Sequence, residues 1–195
     1  MTLPPYHSEV YQPEADTYLL LKTAKKEVHS GEIVLEVGTG SGLISAELQK
    51  NAYVFATDIN PHACRSAKGM GIEVIRTDLM AGICGCFDLI IFNPPYLPTP
   101  PDERIHDWLE YALDGGESGR ETIENFASDL CRIMTRGGRA LVLVSSLTGI
   151  LEVQKLFAEK GLLCFVVAQK KIEDETLYVI RIGRDLCRCA CEDLL

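Results

Sequence analysis

Residues 33–42 read Ile-Val-Leu-Glu-Val-Gly-Thr-Gly-Ser-Gly, a short apolar run that passes into glycines at alternate positions. An apolar run of this length that ends in glycine predicts a strand buried on both faces of a sheet. Gly38, Gly40 and Gly42 lack a Cβ, so the chain can turn tightly and a ligand can approach the backbone. The helix predicted from Leu43 presents its N-terminus to this turn, which suits an anionic group. The stretch predicts a strand, a turn and a helix that together bind a small molecule.

Short apolar runs alternate with helical patterns along the rest of the chain. Such alternation predicts an α/β fold with a mostly parallel sheet and helices on both faces. Right-handed crossovers make this sheet doubly wound. No helix separates the last two predicted strands, so we expect a C-terminal antiparallel hairpin. The seven strands are predicted at residues 33–37, 53–57, 72–76, 87–92, 140–144, 162–167 and 175–182, and the helices at 14–28, 43–50, from Asn60 onward, 123–134 and 147–160.

Size and charge predict one soluble domain over residues 1–195. Hydrophobic residues make up 47% of the chain and charged residues 24%, which is ordinary for a globular protein. The net charge of −9 argues against a protein that mainly binds nucleic acid, because that task needs clustered Lys and Arg. An acidic surface is better suited to a protein substrate. No apolar run approaches the ~20 residues of a membrane span, so we expect no membrane association.

The eight cysteines predict free thiols in the cytoplasm rather than disulfides. The first eleven residues show neither a positive region nor an apolar core, so no secretory signal is predicted. Three cysteines, Cys187, Cys189 and Cys191, lie in a Cys-rich tail over residues 183–195. Their alternate spacing lacks the paired C-x-x-C knuckles or added histidines of a zinc site. We therefore predict no metal site.

An acidic residue lies at or near the end of each of the first three predicted strands: Glu36, Asp58 and Asp78. The carboxyl ends of parallel strands share one edge of a sheet, where ligands bind. Asp58 can accept hydrogen bonds from ribose hydroxyls, and Asp78 from an adenine amino group. Each alone could be a helix cap or turn residue, but together they predict a nucleoside pocket. Gly42 lies one position too early for the dinucleotide fingerprint, which counts against a pyrophosphate cofactor.

The fourth predicted strand ends in the NPPY turn, Asn93-Pro94-Pro95-Tyr96. The two prolines fix the backbone and remove two N–H donors. The Asn93 side-chain oxygen and the Pro94 carbonyl can accept both hydrogens of a planar NH₂ group and so orient its nitrogen toward an electrophile. Tyr96 can stack on that group. The alternative interpretation is a rigid turn that only ends a strand.

Together these motifs resemble the Rossmann-like class I methyltransferases that use S-adenosylmethionine (SAM) to methylate amino nitrogens. Within that class the chain is similar to the HemK-type release-factor glutamine N5-methyltransferase family, in its short archaeal and eukaryotic branch. Two further stretches are similar to this branch. Residues 11–17 match its segment over the cofactor, and residues 112–121 match its glycine-rich segment after the NPPY turn. The resemblance spans residues 11–182 and leaves the Cys-rich tail outside the pattern.

The resemblance implies SAM as cofactor, S-adenosylhomocysteine as product, and a cofactor-covering segment and helix within residues 1–30. Its implied substrate is the glutamine of the Gly-Gly-Gln loop in a translation termination factor. It also implies a small zinc-binding activator protein, for which the strand from Ile72 to Arg76 is the expected docking edge; an ordinary edge strand is the alternative. The implied cofactor contacts are Thr17, Glu36, Gly38, Gly40, Asp58, Asp78, Leu79 and Asn93, and the implied catalytic residues are Asn93, Pro94, Pro95 and Tyr96.

Three other functions compete with this prediction. A methyltransferase for exocyclic amines of nucleic acids uses the same NPPY turn, but the acidic charge argues against it. A protein lysine methyltransferase suits the acidic charge, but an ammonium must first lose a proton and the NPPY turn matches a planar group better. A nucleotide-binding or scaffold protein without activity would need neither the early third glycine nor the NPPY turn.

Overall fold

The computed structural model describes residues 7–98 and 107–184, which form one seven-stranded sheet with helices on both faces. Strands β1 to β5 run parallel, and β7 runs antiparallel between β5 and β6. The predicted α/β fold with a C-terminal hairpin is thereby confirmed. The strands are β1 (Ile33–Val37), β2 (Tyr53–Asp58), β3 (Glu73–Arg76), β4 (Phe87–Phe92), β5 (Met134–Ser145), β6 (Leu162–Ile172) and β7 (Glu175–Arg184). The helices are α1 (Ala15–Glu27), α2 (Leu43–Leu48), α3 (Pro61–Gly69), α4 (Glu121–Ile133) and α5 (Ile150–Glu159).

The strand order β3-β2-β1-β4-β5-β7-β6 places the first strand at the centre of the sheet. The chain winds outward from β1 to the edge strand β3, then crosses back to β4 on the other side of β1. This reversal opens a crevice beyond the carboxyl ends of β1 and β4, where doubly wound sheets bind their ligands. The glycine turn after β1 and the NPPY turn after β4 both lie at this crevice.

Two hydrophobic cores hold the helices on the sheet. Helices α4 and α5 pack on one face, where the rings of Phe92 and Phe126 stack with centroids 4.7 Å apart. Helices α1 and α2 pack on the other face around Leu20 and Leu48, and α3 lies beside α2. Both faces are therefore covered, as the near-continuous apolar runs of β1 and β4 predicted.

Helix α3 begins as its sequence predicted. The Asn60 side chain accepts a hydrogen bond from the backbone N–H of His62 at 2.8 Å, and Pro61 occupies the first helical position. Proline is favourable there because its missing N–H would have had no partner in the first turn. The cap fixes how the chain leaves β2, and so where Asp58 lies.

The predicted boundary between the fourth helix and the fifth strand was wrong. Helix α4 ends at Ile133 and β5 begins at Met134, whereas the glycines at 137 and 138 had suggested a break before the strand. The ladder to β4 pairs Phe87 with Met134 and then Leu89 with Arg139, so the extra residues form a bulge within a continuous strand.

The predicted ends of the C-terminal elements were also wrong. Helix α5 begins at Ile150 rather than at 147, because Gly149 takes a φ of 83° that an α-helix does not contain. Strands β6 and β7 continue to a two-residue turn at Glu173 and Asp174, although the sequence suggested that the first strand ended near 167. Polar side chains suit this extension because β6 is an edge strand. The three cysteines of the tail lie outside the described residues.

Candidate active site

A cavity of about 490 Å³ opens beyond the carboxyl ends of β1, β2 and β4. Residues at the carboxyl ends of β1, β2, β3 and β4 line it, together with residues from the N-terminal segment, from the connection after residue 107 and from α4. All residues that the sequence implicated lie in its wall, although their individual roles stay predictions. They are Thr17, Glu36, Gly38, Gly40, Asp58, Asp78, Leu79, Asn93, Pro94, Pro95 and Tyr96.

Asp58 holds the glycine turn in place. Its two carboxylate oxygens accept hydrogen bonds from the backbone N–H groups of Gly40 and Asn60, both at 2.8 Å. Burial raises the pKa of Asp58, while these N–H groups act in the opposite direction. The turn needs glycine at Gly40, which has a φ of 52° and lines the cavity. Asp58 thus fixes the backbone of the turn beside the space that a ligand would occupy.

Gly42 serves packing rather than ligand approach. A Cβ on this residue would come within 3.3 Å of the Ala67 Cα in helix α3, and its φ is 82°. The early third glycine of the turn therefore lets α2 and α3 lie close together. This explains its position without invoking a pyrophosphate.

Glu36 is a buried carboxyl at the end of β1. Its Oε2 accepts hydrogen bonds from the Ser45 backbone N–H at 3.0 Å, the Ser45 hydroxyl and the Thr39 hydroxyl. Burial raises the pKa of Glu36 to about 7, although the bonds from Ser45 and Thr39 oppose that shift. Among the described residues no donor reaches Oε1. That oxygen is available to a hydroxyl group in the cavity.

The segment after β3 brings Asp78 and Leu79 to the same cavity. Leu79 has a φ of 45°, the one positive value among the described residues other than glycine. A leucine in this region is strained and persists only where its surroundings enforce it, which is common at binding sites. Both residues follow β3 closely, as expected for groups at a carboxyl edge.

The NPPY turn presents an unusual acceptor. The Asn93 Nδ2 donates a hydrogen bond to Asp16 Oδ2 at 3.1 Å, while Asn93 Oδ1 is buried and receives no hydrogen bond from the described residues. Buried polar atoms nearly always have a partner, so an unpaired one in a cavity wall indicates a site for an external donor. The sequence predicted Asn93 Oδ1 as an acceptor for a substrate NH₂ group, and that role stays a prediction.

Asp16 lies in the segment 11–17 that resembles the family's cofactor-covering stretch, but no individual role was predicted for it, and it organises this corner of the cavity. It lies in the first turn of α1 and is only 3% exposed. Its carboxylate also accepts hydrogen bonds from the Tyr11 hydroxyl at 2.9 Å and from the Thr17 backbone and hydroxyl. The available signal was weak, because an acid in the first turn of a helix is ordinarily explained by the helix dipole.

Tyr11 and Tyr96 flank Asn93 with protonated phenols. Burial raises the pKa of both hydroxyls well above the usual range, and the nearby Asp16 carboxylate raises it further. Neither side chain can therefore act as a base near neutral pH. They offer aromatic surface and, for Tyr11, a hydrogen-bond donor.

The glycine-rich segment packs directly on the NPPY turn. The Gly115 N–H donates to the Leu97 carbonyl at 3.0 Å. A Cβ on Gly115 would lie 3.0 Å from the Pro95 carbonyl, and one on Gly119 would lie 2.7 Å from the Tyr96 carbonyl. Only glycine permits this approach, which accounts for the composition of residues 112–121.

Aromatic residues after the undescribed part of the long connection complete the wall. Trp108 and Tyr111 line the cavity with ring centroids 5.5 Å apart. The Arg76 guanidinium of the edge strand β3 lies 5.4 Å above the Trp108 ring, within cation–π range. Sequence patterns missed these residues because the connection shows no regular period. The contact links the edge of the sheet to the mouth of the cavity.

His7, Glu9 and His62 form a cluster outside the cavity. His62 Nε2 lies 3.6 Å from Glu9 Oε2, and the two imidazole rings stack 3.7 Å apart at 23°. Rings so nearly parallel cannot both direct their in-plane lone pairs at one ion, so the cluster is a packing contact. With the bond from Asn60 Nδ2 to the Glu9 carbonyl at 2.7 Å, it holds the N-terminal segment against α3.

In the described ranges there is no helix with the length and apolar character needed to span a bilayer. The family model "Methyltransferase small domain" matches residues 10–103. A Methanocaldococcus jannaschii protein named for N5-glutamine methylation is 39% identical, covering 91% of this chain and 93% of its own. The human methyltransferase HEMK2 is 34% identical, with 91% of each chain covered. The solved E. cuniculi Mtq2–Trm112 complex, which methylates the eRF1 translation termination factor, matches with a TM-score of 0.76 and 31% identity over 91% of this chain and 99% of that one.

Proposed function

This chain belongs to the HemK-type glutamine N5-methyltransferase family of SAM-dependent enzymes, and from that premise we propose that it methylates a glutamine side-chain amide in a translation termination factor. The substrate would be the glutamine of a Gly-Gly-Gln loop. The relative in the E. cuniculi complex acts on such a factor, which supports the proposal.

The observation that carries the proposal is the buried, unpaired Asn93 Oδ1 in the cavity wall. With the Pro94 carbonyl it supplies two acceptors at the end of β4. A glutamine amide has two hydrogens in one plane, and two acceptors can fix both. A protonated amine has tetrahedral geometry and would use such a pair less completely.

The cavity fits SAM by size and by donor chemistry. Small-molecule sites commonly measure 300–1,000 Å³, and this cavity is about 490 Å³. Glu36 Oε1 and the Asp58 carboxylate would accept from the ribose hydroxyls, and Asp78 from the adenine amino group. The turn through Gly38 and Gly40 would pass beneath the amino acid part. The remaining proposed contacts are Thr17, Leu79 and Asn93. When bound, SAM supplies an electrophilic methyl group.

The protein's own contribution to catalysis is electrostatic. An amide nitrogen is a poor nucleophile because its lone pair is delocalised. Asn93 Oδ1 and the Pro94 carbonyl place partial negative charge against the two N–H groups, which stabilises the positive charge that grows on nitrogen in the transition state. Pro95 keeps the turn rigid, and Tyr96 packs against the amide plane.

No base is needed before transfer in this mechanism. The raised pKa of Tyr11 and of Tyr96 keeps both hydroxyls protonated, so neither removes a proton from the substrate. The described residues of the cavity wall include no histidine. A neutral amide has no proton that must leave before it attacks, and the surplus proton passes to water after methyl transfer.

A lysine side chain is the second candidate substrate because the cavity wall is acidic. Among its described residues there is no Lys or Arg. Six carboxyl groups line it, from Asp16, Glu36, Asp58, Asp78, Glu110 and Asp114. This charge favours a cation. Against it stands the need to remove a proton from an ammonium before transfer, which a neutral amide does not require.

We also propose that a small zinc-binding activator protein docks on the edge formed by β3 and β2. Tyr53, Phe55 and Ile75 are exposed there, with Ile75 at 54%. Thr57 pairs with Ile75 in the parallel ladder, so these three side chains share one face of the sheet.

The proposed setting follows from the substrate. Termination factors act on the ribosome, so we place the enzyme in the cytoplasm. Residues 1–195 would form a single methyltransferase domain, with the cofactor-covering segment and helix inside residues 1–30 and the Cys-rich tail at 183–195.

The test is a methyl-transfer assay with labelled SAM, with and without a co-expressed activator. The substrates are a termination factor with Gly-Gly-Gln, its Gln→Ala variant, a lysine-rich peptide and an RNA. We expect label on the intact factor and none on the variant, with mass spectrometry locating N5-methylglutamine. Label on the peptide alone would refute glutamine methylation and favour lysine. Label on RNA alone would move the enzyme to the nucleic-acid class.

A further inference from the structure

We propose that Asp16 is a positioning residue that sets the orientation of the Asn93 side-chain amide, so that Oδ1 rather than Nδ2 faces the substrate. The proposal rests on the proposed function, because it concerns how the acceptor for a substrate NH₂ group is held. Asp16 also lines the cavity, but the proposed role is its bond to Asn93 rather than a contact of its own with the substrate. It acts through Asn93, from a position 77 residues earlier in the chain.

The amide of asparagine has almost the same shape in both orientations, so packing alone selects poorly between them. Hydrogen bonding does select, because the amide has a donor end and an acceptor end. In one orientation Asn93 presents an oxygen to the cavity. In the other it presents an NH₂ group. Two NH₂ groups, one from Asn93 and one from the substrate, would then face each other, and both are hydrogen-bond donors.

Asp16 can make this choice because its carboxylate is saturated with donors. Four hydrogen bonds end on it: from Tyr11, from the backbone and hydroxyl of Thr17, and from Asn93. A carboxylate offers about four lone-pair positions and no donor. The group is thus a pure acceptor, and only the Nδ2 end of Asn93 can face it.

The bond from Asn93 Nδ2 to Asp16 also explains why Asn93 Oδ1 has no hydrogen-bond partner. Since Nδ2 is held by Asp16, the oxygen must lie on the other side of the amide, where it is buried without a donor from the described residues. A side chain without this bond could rotate by 180° and place its NH₂ group there instead. The bond to Asp16 prevents that rotation, so Asn93 Oδ1 stays available to accept a hydrogen bond from the substrate.

Tyr11 steadies the carboxylate in turn. Its hydroxyl donates to Oδ2, the same oxygen that accepts from Asn93 Nδ2. Tyr11 belongs to the N-terminal segment, whereas Asp16 begins α1 and Asn93 ends β4. The Tyr11→Phe variant should therefore have a weaker form of the Asp16 defect, because it removes one donor but keeps the acceptor.

The central variant is Asp16→Asn, which keeps the shape and gives residue 16 a donor of its own. That donor can bond Asn93 Oδ1 and so favour the reversed amide. The matched control is Asp88→Asn. The Asp88 carboxylate also accepts a backbone and a hydroxyl hydrogen bond, from Ile33 and Thr135, but it lies at the opposite end of β4.

For methylation of the termination factor we expect Asp16→Asn to lower kcat about 100-fold, the scale of losing one oriented polar group in a transition state. The Kd for SAM should change less than about threefold, and Asp88→Asn should keep wild-type kcat. In an Asn93→Ala background, which itself removes most turnover, adding Asp16→Asn should change kcat less than about twofold. Additive losses in the double variant would overturn the proposal, since they would mean that Asp16 acts independently of Asn93.

A substrate-free measurement separates this proposal from the proposed function. In ¹⁵N-labelled protein the Asn93 side-chain NH₂ signals are assigned by their loss in Asn93→Ala. We expect slow exchange of one NH proton in the wild type and in Asp88→Asn, and fast exchange with a changed shift in Asp16→Asn. Signals unaffected by Asp16→Asn would refute the positioning role. An intact NMR effect with no glutamine methylation would instead refute only the substrate assignment.

Discussion

At the scale of single residues, Glu36 is a group in the cavity wall whose burial reduces the stability of the ligand-free protein. Its carboxyl is buried, three protein donors contact one oxygen, and burial raises its pKa to about 7. In the unfolded chain an ordinary glutamate loses its proton near pH 4.5. Between these values the folded protein retains a proton that the unfolded chain has lost.

We therefore predict that the cofactor-free protein loses stability as pH rises from about 4.5 to 7. The contribution of Glu36 is on the order of 3 kcal/mol, because burial raises its pKa from 4.5 to about 7. The Glu36→Gln variant cannot titrate, so its free energy of unfolding should depend less on pH in this window. Urea denaturation of both proteins at pH 5 and pH 7.5 measures the difference. Parallel pH profiles would contradict the raised pKa.

At the scale of secondary structure elements, Arg139 joins β5 to the connection between α1 and β1. Its side chain is 6% exposed and lies 2.8 Å from Glu32 and 3.2 Å from Glu27. Burial opposes ionisation of Glu32, but hydrogen bonds from Arg139 and from the His29 backbone lower its pKa to about 2. The pair is thus charged throughout the neutral range and tethers α1 to the sheet.

Arg139→Ala should destabilise the protein by about 3–5 kcal/mol, because it leaves partly buried carboxylates without their cation. Arg181→Ala is the matched control. Arg181 contacts the same Glu27 at 3.1 Å, but its side chain is 46% exposed, so its loss should cost about 1 kcal/mol or less. Urea midpoints of the two variants give the comparison. Equal midpoints would show that burial does not distinguish the two arginines.

The two edges of the sheet provide the second test at this scale. Ile75 on β3 and Phe165 on β6 are both exposed, at 54% and 60%, but only Ile75 belongs to the proposed docking edge. Ile75→Asp should weaken copurification with a co-expressed activator at least tenfold, since a carboxylate would be desolvated in an apolar interface. Phe165→Asp should not affect it. If Phe165→Asp abolished copurification of the activator and Ile75→Asp did not, the activator would bind the opposite edge of the sheet.

For the whole molecule, we predict that binding of SAM at the centre of the sheet increases the free energy of unfolding of the protein. The cavity is lined by residues that follow β1, β2, β3 and β4, so a ligand there links all four strands to α1. At 100 times its Kd, SAM should add about 2.7 kcal/mol to the free energy of unfolding. For a domain of this size, that corresponds to a rise in Tm of roughly 5–10 °C.

Thermal scans with SAM and with ATP at equal concentration check this prediction. ATP carries the same adenosine but a triphosphate, which the acidic cavity wall should repel. ATP should therefore raise the Tm by less than about 1 °C, because it binds far more weakly than SAM. A shift with ATP as large as that with SAM would indicate a nucleotide-binding protein instead.

Local patterns in the sequence determined the strands β1 and β4 to the residue, the polar groups that follow them, and the α/β class. This was possible because burial, glycine and proline impose their constraints on immediate neighbours. The fold decided the bulge in β5, the long hairpin of β6 and β7, and the bond from Asn93 to Asp16. Each of these depends on which distant strand or helix packs alongside. Asp16 is an ordinary helix-start residue until β4 brings Asn93 within 3.1 Å of it, because the role of a buried polar group depends on the partner that packing places beside it.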